Sequence, residues 1–72
     1  MYFALPKSAL QVFGALEDRP ISSKELARRT NLSERTVRYA LKILKENGLV
    51  EEIFFLRDAR KRGYRRKKFT PD

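Results

Sequence analysis

The sequence predicts an α+β domain in which three helices are followed by a two-stranded antiparallel β-hairpin. Three observations predict it: apolar residues recur with a helical period before Gly48, polar caps separate the helical stretches, and the period changes to two after Gly48. The 72 residues are enough for one small hydrophobic core. We therefore expect a single domain over residues 1–72.

The first helix is predicted over residues 6–18. Pro6 suits a first helical turn, where its missing N–H costs nothing, and Asp18 to Pro20 breaks the helix. The apolar stripe of this helix consists of Ala9, Val12, Phe13 and Leu16.

The second helix is predicted over residues 23–30. Ser22-Ser-Lys-Glu25 matches a capping box, in which the serine accepts a backbone N–H and the glutamate side chain reaches back to the cap. Leu26 and Ala27 face inward, and Thr30-Asn31 ends the helix.

The third helix is predicted over residues 34–47, with Ser33 as its N-cap and Asn47-Gly48 as its stop signal. The residues turned to the core are Val37, Ala40, Leu41 and Leu44. The opposite face carries cationic, hydrogen-bonding and aromatic side chains, namely Arg35, Thr36, Arg38, Tyr39 and Lys42. Such a face suits a helix that enters a nucleic-acid groove, whereas most charged helix faces are simply solvated. Tyr39 has a second interpretation, packing over Ile43 beside the core.

Two strands are predicted over residues 49–57 and 63–70, connected by a polar, basic loop from Asp58 to Gly63. Alternation puts Ile53 and Phe55 on one face and Phe54 and Leu56 on the other. Both faces then need cover, from the helices, from the segment Met1 to Leu5, or from a second subunit. Glu51 and Glu52 are interpreted as solvent-facing or edge-protecting charges.

The positive charge is concentrated near the end of the sequence. The net charge of +8 comes from 17 Lys and Arg against 9 Asp and Glu, and residues 57–68 contain eight of the cations with one anion. Clustered cations favour a polyanion partner, because binding releases counterions from the phosphates. A basic tail that only maintains solubility is the alternative, but Tyr64 and Phe69 interleave with the cations as in a strand. We expect no membrane partner, since no amphipathic helix with a broad apolar face accompanies this run.

Several classes of function are excluded by composition. Without cysteine or histidine the chain has no Ser-His or Cys-His nucleophile pair and no thiolate metal site. Neither a glycine-rich phosphate loop nor a converging set of carboxylates is evident. We expect no enzymatic activity and no cofactor. Because the sequence shows neither a signal peptide nor a membrane span, we expect a cytoplasmic, nucleoid-associated protein.

The order of these signals resembles the winged helix-turn-helix domain of bacterial and archaeal transcriptional regulators, particularly the MarR, ArsR and TrmB-like groups. The resemblance covers about Leu5 to Thr70. It is carried by the segments Ile21 to Ala27, Leu32 to Val37, Ala40 to Leu44, Asn47 to Val50 and Asp58 to Arg60.

The resemblance implies that the third helix lies in the major groove and that the hairpin, or wing, reaches phosphates or the minor groove. The implied DNA-binding residues of the helix are Ser33, Glu34, Arg35, Thr36, Arg38, Tyr39 and Lys42. Those of the wing are Arg57, Arg60, Lys61, Arg62 and Arg65. The sequence lacks the dimer-forming helices of MarR-like regulators and the cysteine or histidine clusters of ArsR-like metal sensors. We therefore expect no small-molecule or metal sensing.

The expected function is that of a sequence-specific, double-stranded DNA-binding transcriptional regulator. It is expected to act as a homodimer, because one reading helix covers few base pairs. Two alternatives remain open at this point. One is a non-specific architectural DNA binder, and the other is a winged-helix module for protein or RNA interaction in a transcription, replication or translation assembly.

Overall fold

The computed structural model describes residues 4–55 and 58–67, and for residues 58–60 it describes the backbone alone. It contains three helices followed by a two-stranded antiparallel hairpin, which confirms the predicted fold class. The elements are α1 (Lys7–Ala15), α2 (Ser23–Thr30), α3 (Glu34–Glu46), β1 (Val50–Phe55) and β2 (Asp58–Arg66). Within the described residues no helix is long and apolar enough to span a membrane.

The first helix ends at Ala15, three residues earlier than predicted, because the following segment pairs with the hairpin. Leu16 is already extended, with ψ of 153°. The Glu17 carbonyl accepts a hydrogen bond from the Arg66 N–H at 3.1 Å. Ile21 and Tyr64 exchange two backbone hydrogen bonds, of 2.9 and 2.7 Å. The backbone groups after Ala15 thus find partners in β2 rather than in a longer helix.

The caps of α2 and α3 largely follow the sequence signals. Ser22 accepts the Glu25 N–H and Ser33 accepts the Thr36 N–H, each at 3.1 Å. The return half of the predicted capping box is wrong, since the Glu25 carboxylate instead binds the guanidinium groups of Arg28 and Arg29. Arginines one turn further along the helix are closer ion-pair partners than the cap backbone.

The connection out of α3 is made by a left-handed glycine. Gly48 has φ of 71°, a conformation that glycine adopts without steric cost. The Leu49 N–H then donates to the Leu44 carbonyl at 2.9 Å, and the Asn47 amide donates to the Ile43 carbonyl at 2.8 Å. The chain therefore turns at once from α3 into β1.

The hydrophobic core lies between the three helices and the base of the hairpin. Val12, Leu26, Val37 and Leu44 are the largest of its completely buried side chains. The rest of the core is formed by Ala9, Leu16, Ile21, Ala40, Leu41 and Val50. The apolar stripes predicted for the helices contribute most of these residues, so helical periodicity identified the core correctly.

The hairpin differs from the prediction in its connection. Val50 to Phe54 pair in regular antiparallel register with Arg62 to Arg66, and the register then shifts so that Phe55 pairs with Asp58. The segment Asp58 to Gly63 therefore belongs to β2, not to a loop. Both Lys61 and Arg62 are exposed. Since this end of the ribbon lies in solvent, extended pairing there does not require apolar side chains.

Gly63 is the position at which the hairpin meets the segment after α1. It is buried, and a Cβ at this position would collide with the Pro20 Cβ and lie 3.2 Å from the Pro20 Cα. Gly14, which is exposed on α1, has no such neighbour within 4 Å. The missing side chain of Gly63 is what lets Pro20 and Ile21 lie against β2.

We expect Gly63→Ala to lower the free energy of unfolding by about 1–3 kcal/mol, because the added methyl group forces the two segments apart. Gly14→Ala is the matched control and should raise the free energy of unfolding by about 0.5–1 kcal/mol, because alanine has a higher helix propensity than glycine. Urea unfolding followed by circular dichroism measures both. Equal stability of Gly63→Ala and the wild-type chain would contradict the packing described here.

Candidate nucleic-acid interface

The outer face of α3 presents most of the side chains that the sequence predicted to read DNA. Arg35, Arg38, Tyr39 and Lys42 are all exposed and follow a helical spacing opposite to the core stripe. Tyr39 is 57% exposed, so most of its ring lies outside the core. This face combines three cations with one aromatic ring, a set that can contact phosphates and base edges.

The first turn of α3 uses its polar side chains within the protein. The Ser33 hydroxyl accepts the Thr36 N–H and donates to the Thr36 hydroxyl at 2.9 Å. Glu34 forms an ion pair with Arg38 at 3.5 Å. These residues are placed at the helix start as predicted, but the hydroxyl of Ser33 is engaged in capping.

The predicted wing residues do not form one surface. Lys61 and Arg62 are exposed, whereas Arg65 is half-buried and paired with Glu51 at 2.9 Å. Because alternate residues of a strand point to opposite faces, Arg62 and Arg65 lie on different sides of the ribbon. Arg57 and the side chain of Arg60 lie outside the described part of the chain.

A cleft of about 770 Å³ lies between the start of α2, the middle of α3 and the hairpin. It brings Arg38 of α3 together with Lys61 and Arg62 of β2. The other lining residues are Ser22, Ser23, Lys24, Phe55 and Tyr64. The sequence interpretation missed the start of α2, although its serine cap signals a helix N-terminus, whose free N–H groups favour anions. Phe55 was noted as a strand aromatic, but its place beside the cations was not foreseen.

Glu52 connects α3 to the hairpin. Its carboxylate accepts hydrogen bonds from Lys45 Nζ at 2.8 Å, Arg62 Nη1 at 3.1 Å and the Tyr64 hydroxyl at 3.2 Å. The Glu52 side chain is only 12% exposed, and the Arg62 guanidinium also lies 5.5 Å from the centre of the Phe54 ring. The interpretation of Glu52 as a solvent-facing or edge-protecting charge is therefore wrong, because strand pairing turns it toward α3.

The acidic groups of these networks are held in their charged form. The hydrogen bond from Lys45 is the main cause that lowers the pKa of Glu52 below its ordinary value of 4.5. Hydrogen bonds from Arg29 are the main cause that lowers the pKa values of Glu17 and Glu25. The Arg29 guanidinium lies 2.6 Å from the Glu17 carboxylate and 3.1 Å from the Glu25 carboxylate. The Tyr64 hydroxyl has a raised pKa, caused first by burial and then by the negative charge of Glu52.

Comparison with known sequences identifies the family. The sequence model of a family described as "Helix-turn-helix domain" matches residues 7–53, nearly two thirds of the chain. This chain belongs to the helix-turn-helix domain family. No curated protein matches this helix-turn-helix domain by sequence.

Solved structures share the fold of this helix-turn-helix domain at low identity. The adhesin competence repressor AdcR from Streptococcus pyogenes has a TM-score of 0.79 at 20% identity, over 89% of this chain and 48% of that chain. The transcriptional regulator BldR from Sulfolobus solfataricus has a TM-score of 0.75 at 24% identity, and the match covers 88% of this chain and 45% of that chain. The S. aureus MepR–DNA complex has a TM-score of 0.73 at 15% identity, and the match covers 88% of this chain and 53% of that chain. The winged helix-turn-helix prediction is confirmed, and this chain spans about half the length of the structures it matches.

The lowered pKa values predict how the stability of the helix-turn-helix domain depends on pH. Folding lowers the pKa of Glu17, Glu25 and Glu52, so the stability they contribute is complete above the unfolded-state pKa and is lost as pH falls through the folded-state pKa. We expect the free energy of unfolding to fall as pH decreases below about 4.5.

Glu52→Gln should make this acid-induced loss smaller, because glutamine cannot be protonated. Glu46→Gln, which removes an exposed carboxylate from the end of α3, is the matched control. Urea titrations at pH values from about 7 down to about 3 measure the effect. An unchanged pH dependence in Glu52→Gln would contradict the role given to this carboxylate.

Proposed function

We propose that the chain is a sequence-specific, double-stranded DNA-binding transcriptional regulator that acts by occupying an operator or promoter, without enzymatic chemistry. The observation that carries the proposal is the cleft in which Arg38 of α3 meets Lys61 and Arg62 of the hairpin. A helix face and a wing that converge on one side of the molecule can contact a groove and its flanking phosphates together. The proposed place of action is the cytoplasm, on the chromosome.

In this proposal α3 selects the sequence. The exposed guanidinium groups of Arg35 and Arg38 can donate to guanine O6 and N7, and Lys42 can contact a base or a phosphate. Tyr39 adds a hydroxyl and an apolar ring that suits a thymine methyl group. Ser33, Glu34 and Thr36 lie at the end of α3 from which a reading helix enters the groove.

The hairpin provides phosphate contacts. Lys61 and Arg62 are exposed on β2, and the proposal adds Arg57 and Arg60 from the same basic run. Of the residues proposed to contact phosphates, Arg65 is the least available, because it is half-buried and already paired with Glu51. Contacts of this kind increase affinity without reading sequence, and salt weakens them.

We further propose that the chain acts as a homodimer. One reading helix covers few base pairs, so two half-sites raise specificity. Leu10 on α1 and Phe54 on β1, each 56% exposed, are the described apolar side chains available for a dimer contact, whereas the exposed ring of Phe55 lines the cleft proposed for DNA. The segment Met1 to Leu5 is a further candidate for the dimer contact, and its residues 1–3 lie outside the described part of the chain. The MepR structure, a complex with DNA, supports the choice of duplex DNA as the partner.

Selection of bound duplexes from a random-sequence pool, followed by fluorescence anisotropy, tests the function. We expect a preferred site, and Arg38→Ala should weaken binding to it by about 10- to 100-fold and relax discrimination at one base pair. Arg19→Ala removes an equally exposed arginine that pairs with Glu17 away from the cleft, and it should leave the preference unchanged.

Two other results would point to the alternatives. Binding without any preferred sequence, insensitive to Arg38→Ala, indicates an architectural DNA binder. The absence of duplex binding at moderate salt indicates a module for protein or RNA interaction and would overturn the proposed function.

The stoichiometry on DNA tests the homodimer. We expect two protomers on a selected duplex that carries two half-sites about 10 base pairs apart, measured by sedimentation velocity with labelled DNA. A duplex with one half-site is the control and should bind much more weakly. One protomer per two-site duplex at saturating protein would contradict the proposal.

A further inference from the structure

Glu52 is an acidic group on the cationic side of the molecule. A second, smaller cleft between α3 and the hairpin, of about 310 Å³, is lined by the Glu52 carboxylate and by four cations. Those cations are Arg38, Lys42, Lys45 and Arg62. A negative charge at this place repels phosphates, so it lowers the affinity for any duplex unless it has a positioning effect.

The carboxylate connects side chains from three elements. Lys45 comes from the last turn of α3, Arg62 and Tyr64 come from β2, and Glu52 itself lies on β1. Glu52 is only 12% exposed, whereas Lys45 and Arg62 are 60% and 52% exposed, so solvent still screens these charge-assisted hydrogen bonds in part. The bonds therefore contribute to fixing the angle between α3 and the wing, beside the backbone pairing of Ile21 with Tyr64.

The same bonds fix two cations in defined positions. Lys45 Nζ and Arg62 Nη1 both donate to Glu52, at 2.8 and 3.1 Å. An ammonium or guanidinium group that is free to move can reach the phosphates of a duplex of any sequence. One that is held in place can contact DNA only when the protein is bound in one position and orientation.

We propose that Glu52 is a positioning residue that sets the specificity of DNA binding, by locking the wing to α3 and by withholding the charges of Lys45 and Arg62 from non-cognate phosphates. This inference rests on the proposed function, since it assumes a duplex partner. It assigns the carboxylate a role in discrimination rather than in affinity.

The test compares binding of the full chain and of Glu52→Gln to the selected duplex and to a scrambled duplex over a series of salt concentrations. Glu52→Gln should bind the scrambled duplex about 3- to 10-fold more tightly at low salt, and its slope of log affinity against log salt should steepen by about one to two. With the affinity for the selected duplex unchanged, the ratio of affinities for the selected and the scrambled duplex should fall by the same factor, about 3- to 10-fold.

Two further variants make the test specific. Glu46→Gln produces the same change in net charge on an exposed site of α3 and should alter neither the salt slope nor the affinity ratio. Adding Lys45→Gln to Glu52→Gln removes one of the released cations and should reduce the steepened slope by about one. Circular dichroism of each variant verifies that the chain is folded.

The outcomes separate this inference from the proposed function. If Glu52→Gln weakens binding to both duplexes equally with an unchanged salt slope, Glu52 is only structural and the inference is overturned while the proposed function stands. If Glu46→Gln has the same effect as Glu52→Gln, the effect is one of net charge and the inference also fails. If the wild-type chain binds neither duplex, the proposed function fails and the inference fails with it.

Discussion

The position of the hairpin depends on its backbone pairing with the segment that follows α1. A two-stranded ribbon is marginally stable by itself, and here the pair of hydrogen bonds between Ile21 and Tyr64 adds a third, one-residue strand to it. The Arg66 guanidinium strengthens the attachment by donating to the Phe13 carbonyl at 3.3 and 3.2 Å and by lying 4.8 Å from the centre of the Phe13 ring. Together with the Glu52 bonds between α3 and the hairpin, this attachment sets the angle between the two and so shapes the clefts between them.

The attachment also divides the basic run into parts with different tasks. Arg66 occupies the carbonyl end of α1, where a cation is favoured by the helix dipole. Arg65 pairs with Glu51 and Arg62 with Glu52, while Lys61 extends into solvent. A count of charges treats these residues as one electrostatic surface, but strand alternation sends them to opposite faces. The positive charge available to a polyanion is therefore smaller than the sequence suggests, and more of it is held in defined positions.

How much of the molecule is predictable from sequence follows from the range of the interactions involved. The starts of α2 and α3 and the core stripes depend on residues within one or two turns, and all were predicted. The end of α1 and the extent of β2 depend on pairing between residues far apart in sequence, such as Glu17 with Arg66, which no local pattern reports. The same division applies to the candidate site. The exposed face of α3 is predictable from helical period, whereas the task of Glu52 depends on the packing of three elements around one carboxylate.

The exposed phenyl rings of Phe54 and Phe55 have a consequence for the behaviour of many copies of the chain in solution. They lie on β1, which is paired on one side only within the described residues, so an open strand edge and two apolar rings are adjacent. Mutual repulsion from the net charge of +8 keeps such edges apart. The charge that we propose to hold DNA thus also provides colloidal stability, and conditions that neutralise or screen it favour self-association of the free chain.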